Sequence, residues 1–176
     1  FSPAQVLAAL PSLEDAGGTA AYPVSGHYRA SQHGMTLIAH HEKTVSPAGE
    51  LHQWHQHNDL LHITLADGDV LLLADPGRDN YQLDSADPQG LDAVAHSGIF
   101  IDGFSPAPNR PWHYPAVWAS PVNTACWPDS EGCFTLATDG FCRLGHGPCS
   151  RRIELQNNGF VVEDTLDVRR QSNITA

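Results

Sequence analysis

The chain has 176 residues, 41 % of hydrophobic type and only 16 % charged, enough for one domain with a useful core and unlike a disordered acidic tail. Nine Lys plus Arg stand against 20 Asp plus Glu, and the net charge of −11 excludes general binding to nucleic acid or anionic membrane, which rests on many cationic contacts. The 11 histidines outnumber all the Lys and Arg together, which puts metal ligation and proton transfer first among the chemistries to test.

The start reads as a short helix. Ser2 caps it, Pro3 suits the first helical position, Gln5 completes a capping box ahead of Val6, Leu7 and Leu10, and Pro11 ends it. Asp15-Ala-Gly-Gly-Thr19 reads as a linker, so residues 1–21 are expected to be a terminal helix and linker. From Tyr22 onward short apolar runs bounded by turn residues take over, at 35–40, 60–65, 70–74, 99–102, 134–137, 153–155 and 160–162. None sustains a helical period, which predicts an all-β region, a sandwich over 22–176. Asn157-Asn158-Gly159 between two such runs predicts a hairpin. No apolar run has the length of a membrane span, and no signal-peptide pattern opens at Phe1.

The four cysteines, Cys126, Cys133, Cys142 and Cys149, are separated by six, eight and six residues, a poor fit to thiolate metal sites, whose pairs stand closer. An even count in a stretch rich in Gly, Pro and Asp predicts local disulfides, with free buried thiols as the plainer alternative. Cys126–Cys133 and Cys142–Cys149 are the simplest of three pairings. With the sequon Asn173-Ile174-Thr175, this favours a secreted or periplasmic protein whose mature chain has lost its signal peptide.

His52, His55 and His57 crowd the segment before Asp59, and His62 follows. On one continuous strand, residues 55, 57, 59, 61, 63 and 65 share a face that is polar at one end and apolar at the other. A three-residue loop, Ala66-Asp67-Gly68, would pair Leu65 with Asp69 and set Asp59 opposite Asp75, with His57 on the diagonal; a two-residue loop would turn Asp75 to the other face. Two imidazoles and a carboxylate on one face make a site for zinc or a similar divalent ion, and His96, at the start of the next strand, offers a third nitrogen. The plainer reading is a surface strand with solvated histidines.

Read in order, Tyr22-Pro-Val-Ser-Gly-His-Tyr28, His55-Gln-His-Asn-Asp59, Leu71-Leu-Leu-Ala-Asp-Pro-Gly77, Ala95-His-Ser-Gly-Ile-Phe-Ile-Asp-Gly103 and residues 152–167 resemble the heparinase II/III-like family of polysaccharide lyases. The resemblance covers most of 22–167, apart from a Cys-bearing stretch at about 104–150 that looks like an insertion. It implies a mainly β fold, an antiparallel β-sandwich preceded by a short helix from a helical toroid, with the active site in the cleft between them. It implies His57, Asp75 and His96 as ligands of a divalent metal, zinc by preference, and His55 as a histidine at the reacting sugar. The implied reaction is β-elimination on an acidic, uronic-acid polysaccharide. That chemistry needs a base for the C5 proton, neutralisation of the adjacent carboxylate, and an acid for the leaving oxygen. Tyr81 is the nearest candidate for the acid or base, against the plainer reading of a loop aromatic, while Asn58 and Arg78 are expected to contact substrate.

Two departures stand out. The family's His-Asn-Thr pattern is His96-Ser97-Gly98 here, and residues 1–13 could supply only the last helix of a toroid, so the rest of a longer polypeptide is an expected partner. Two other readings compete. One is a non-catalytic carbohydrate-binding or structural sandwich with Trp54, Trp112, Trp118 and Trp127 as sugar-stacking rings, although tryptophans more often anchor cores and loops. The other is a metal-dependent cupin, in which His62 would replace a missing carboxylate.

Overall fold

The computed structural model describes residues 17–24, 26–40, 59–77, 93–108, 123–126 and 133–176. Two antiparallel meanders make up most of it. The first joins β1 (Gly18–Tyr22), β2 (His27–Gln32), β3 (Met35–His40), β4 (Ile63–Asp67) and β5 (Val70–Leu73) in chain order. A short β6 (Phe100–Ile101) pairs with β11 (Ile174–Thr175). The second meander joins β7 (Asn123–Cys126), β8 (Cys133–Thr138), β9 (Cys149–Gln156) and β10 (Gly159–Leu166).

Alternation explains which side of each sheet is covered. Tyr28 and Ala30 on β2, Leu37 and Ala39 on β3, and Ile63 on β4 are buried on one face of the first sheet. Phe134 and Leu136 on β8, with Cys149 and Ile153 on β9, are buried on the second. These residues form one core cluster, completed by Ile99, Ile101 and Phe141. The Tyr28 and Phe134 rings stack 4.5 Å apart across the sheets. Each of the larger apolar side chains, fully covered, contributes roughly 1.5–3 kcal/mol.

Several expectations need correction. The linker read over residues 15–19 gives way at Gly18 to β1, which pairs with β2 from Gly18↔Ser31 onward. The stretch read as an insertion supplies β7, β8 and the start of β9, so it is part of the second sheet. The β4–β5 loop is the two-residue turn Gly68-Asp69, closing Asp67↔Val70, so Leu65 does not pair with Asp69. An irregularity between Leu65 and Ala66 then admits one extra residue on β5 and sets Leu65 against Leu73. Gly68 supplies the positive φ of that turn, +54°. The expected hairpin at Asn157-Asn158 is present, with Gln156↔Gly159 closing it. The expected helix within 1–13 lies outside the described residues. No helix among the described residues is long and apolar enough to cross a membrane.

The expected disulfides are absent. Cys133, Cys142 and Cys149 carry free thiols, which removes both Cys126–Cys133 and Cys142–Cys149. The strand pairing gives the reason. Cys126 pairs with Thr135 on β8, two residues along from Cys133, which lies opposite Glu154 on β9. Cys142, in a short 3-10 helix (Gly140–Leu144), is exposed while Cys149 is buried. Burial pushes the Cys149 thiol up to about 12, and the Asp164 carboxylate adds to the effect. It is an inert core group.

Candidate metal centre

The strand reading of residues 55–65 breaks at a turn. His62 N–H donates to Asp59 C=O at 2.9 Å, and Leu61 takes a left-handed φ of +66°, so β4 begins only at Ile63. Asp59 is therefore in the turn, not opposite Asp75 on a neighbouring strand. Leu61 still reaches the core, and His62 is buried with it.

A second segment comes alongside. The 3-10 turn Ala93–Ala95 closes with His96 N–H donating to Ala93 C=O at 3.1 Å, and buries His96. Ser97 ties the two segments together. Its Oγ accepts from Ile63 N–H at 2.9 Å and lies 3.0 Å from Ile63 C=O, while its N–H donates to His62 Nδ1 at 3.1 Å. The altered His96-Ser97-Gly98 pattern thus has a definite consequence: a small hydroxyl residue fits against the ring of His62.

The third segment is the chain leaving β5. Asp75 Oδ1 accepts the Gly77 N–H at 2.8 Å, which orients the carboxylate, and Oδ2 lies 3.9 Å from His96 Nδ1. The His62 and His96 rings meet edge to face with centroids 5.1 Å apart. One donor atom each from His62, Asp75 and His96 lie within 4.8 Å of one another. Ligands at zinc-like distances around a tetrahedral ion stand about 3.4 Å apart, so the cluster is slightly open but of the right size.

The donor set fits a divalent ion, with one condition. Because the Ser97 amide donates to His62 Nδ1, the neutral ring carries its proton on Nε2, which stands 3.3 Å from Thr64 Oγ1. His62 can join an ion only by giving up the Ser97 amide or changing tautomer. His57, expected as a ligand with Asp75 and His96, lies outside the described residues, as do His55, Asn58, Arg78 and Tyr81, the four tryptophans, and the side chain of Cys126.

Two further imidazoles extend the site. His27 pairs in register with His40, and their rings stack 4.6 Å apart. The β3–β4 register ends at Ala39↔Ile63, so the next residues along, His40 and His62, continue the row. Burial lowers the pKa of His40, against the opposing pull of Asp59 and Asp75. Burial likewise lowers that of His62, helped by the neighbouring His96. Both rings are therefore neutral near pH 7. Sequence reasoning missed His27 and His40 in this role. The signal was there in Gly26-His27 and in the end of the 35–40 run, but only strand pairing puts His27 against His40, on whose ring the Asp75 carboxylate acts. His62 entered only as a stand-in for a cupin carboxylate.

The described part of the molecule is thus an antiparallel β-sandwich with a His–His–Asp cluster where three chain segments meet. The chain belongs to the heparinase II/III-like, C-terminal family, whose model matches residues 15–176, including the stretch read as an insertion. A search of curated proteins gives no match.

Proposed function

We propose that this chain is the metal-containing β-sandwich portion of a polysaccharide lyase that cleaves uronic-acid polymers by β-elimination. The convergence of His62, Asp75 and His96 in a chain of this family is the observation that carries the reading. In it, His96 and Asp75 hold a divalent ion, zinc by preference, with His57 or a released His62 as the third ligand. When bound, the ion supplies a fixed positive charge that ties β4, the chain after β5 and the segment before β6 together.

The chain's own groups then serve the polymer. His55 and Tyr81 are the groups proposed to move protons at the sugar, one taking the C5 proton and the other protonating the leaving oxygen. Asn58 and Arg78 are proposed to face the substrate carboxylate and hydroxyls. The half-buried His40 offers a neutral imidazole that can donate or accept a hydrogen bond. A secreted or periplasmic location belongs to this reading because polymeric uronates are met outside the cytoplasm; it no longer draws on cysteine pairs.

The test is to incubate the full protein, zinc-loaded and chelated, with alginate, heparin and hyaluronan in turn. Ultraviolet absorbance of the unsaturated uronate end should rise with at least one polymer. No absorbance with any of them, from protein that retains its ion, would leave a non-catalytic sandwich as the better account.

A further inference from the structure

We propose that Arg151 is a positioning residue for the ion site: its guanidinium, fixed by Asp164, holds the backbone carbonyls of Leu61 and Ser97, the neighbours of His62 and His96. The inference rests on reading this cluster as an ion site, and assigns a role to a residue of the opposite sheet.

Arg151 lies on β9, on the inward face with Cys149 and Ile153, and is only 4 % exposed. Asp164 is its register partner on β10. The pair is bidentate, with Nε donating to Oδ1 and Nη2 to Oδ2, both at 2.8 Å. That fixes the plane of the fork. The remaining nitrogen, Nη1, donates to Leu61 C=O at 2.7 Å and to Ser97 C=O. These contacts reach 90 and 54 residues along the chain, to the two segments that also meet through Ser97 and through the His62 and His96 rings.

Both carbonyls matter to the site. Leu61 holds φ +66°, a conformation that a branched side chain rarely adopts, and its carbonyl leads directly into His62. Ser97 follows His96 and donates its own N–H to His62. A shift of either carbonyl would therefore rotate an imidazole. Burying an Arg–Asp pair is costly, and packed aliphatic residues are often no less stable, so bulk stability is a weak reason for its presence. What aliphatic residues cannot do is fix two carbonyls from separate segments at one point. Lysine, a single flexible point charge, does so poorly.

The test uses the full chain with Arg151→Lys, Arg151→Met and Asp164→Asn, and with Arg152→Met as control, since Arg152 is paired at the surface with Glu154. Each is titrated with Co2+ alone, following visible absorption, and the apo proteins are compared by imidazole 1H–15N correlation spectra. The expected result is folded Arg151 and Asp164 variants with Co2+ affinity lowered roughly ten- to hundredfold, as for loss of an outer partner of a metal ligand. Their Co2+ spectra should change in shape, and the His62 and His96 ring signals should move, while Arg152→Met matches the parent. Folded Arg151 variants with parental affinity, spectrum and ring signals would overturn the proposal. So would loss of the whole fold in Arg151→Lys, because the residue would then support the sandwich at large. If the parent itself binds no Co2+, the ion reading fails, and the apo ring signals alone decide whether Arg151 positions the imidazoles.

Discussion

Asp75 Oδ2 stands 3.9 Å from His96 Nδ1, too far for a hydrogen bond and close to the spacing of two ligands on one ion. Asp75→Asn keeps the shape and the Gly77 contact but removes the charge. It should therefore lower Zn2+ affinity by more than the ten- to hundredfold typical of an outer partner, and His96→Ala should do the same. Equilibrium dialysis with metal analysis checks both, and unchanged metal content would remove the residue concerned from the ligand set. His62→Ala separates two roles: as a ligand its loss matches that of Asp75→Asn, whereas as a hydrogen-bonded neighbour held by Ser97 it costs roughly tenfold. Asp75 and His96 were named from the sequence, His96 because it opens a short apolar run and Asp75 through the family resemblance and a strand register that the two-residue turn Gly68-Asp69 replaces. The place of His62 was not legible. It depends on the left-handed turn at Leu61, and counting alternate residues along a supposed strand passes straight through that turn.

Most strands were legible where an apolar run met turn residues. The run at 35–40 coincides with β3, and those at 134–137, 153–155 and 160–162 lie inside β8, β9 and β10. β2 escaped because its sequence, HYRASQ, buries only Tyr28 and Ala30 as apolar groups; strand pairing on both sides makes it a strand. β1 escaped because its glycine and alanines carry little strand preference and β2 supplies the ladder. The Cys-bearing stretch was read as an insertion in the family resemblance although it contains the predicted run at 134–137, and the alternation of buried Phe134, Leu136 and Thr138 makes that run an inner strand. That stretch also contains a close approach. A Cβ on Gly140 would lie 2.3 Å from Pro106 O, against backbone that cannot swing aside. Gly140→Ala should therefore force the 3-10 helix away from residues 105–106, at a cost of roughly 1–3 kcal/mol. Chemical denaturation measures it, and a midpoint equal to the parent's would show that the contact yields freely. Thiol reactivity gives a second check on the element. In native protein the exposed Cys142 should react quickly with an aromatic disulfide reagent and the buried Cys149 only on unfolding; peptide mapping of the labelled protein tells them apart.

Across the whole molecule, buried titratable groups bound stability on both sides of neutrality. On the acid side, His40 and His62 have folded pKa values below the ordinary 6.5, mainly through burial. Below that pH the unfolded chain takes up protons that the folded one refuses. Their contribution is therefore present above pH 6.5 and lost as pH falls through the lower folded values. This loss begins well above the range in which ordinary carboxylates titrate, about pH 4, so the two are separable. On the alkaline side the sign reverses. Cys149 and Tyr28 are both pushed up to about 12, from 9.0 and 10.0, by burial, with Asp164 adding at the first and Cys133 at the second. The unfolded chain loses these protons first, so their contribution is intact below pH 9 and disappears as pH rises toward 12. Thermal melts of the chelated protein should show a plateau from about pH 7 to 9, falling on both sides. His40→Gln should flatten the first part of the acid limb, and Cys149→Ala the first part of the alkaline limb, because each removes a buried group that the unfolded state titrates earlier. A melting temperature that holds steady from neutrality down to about pH 5 would mean that the imidazole row is open to water, and that the core does not reach beneath the site.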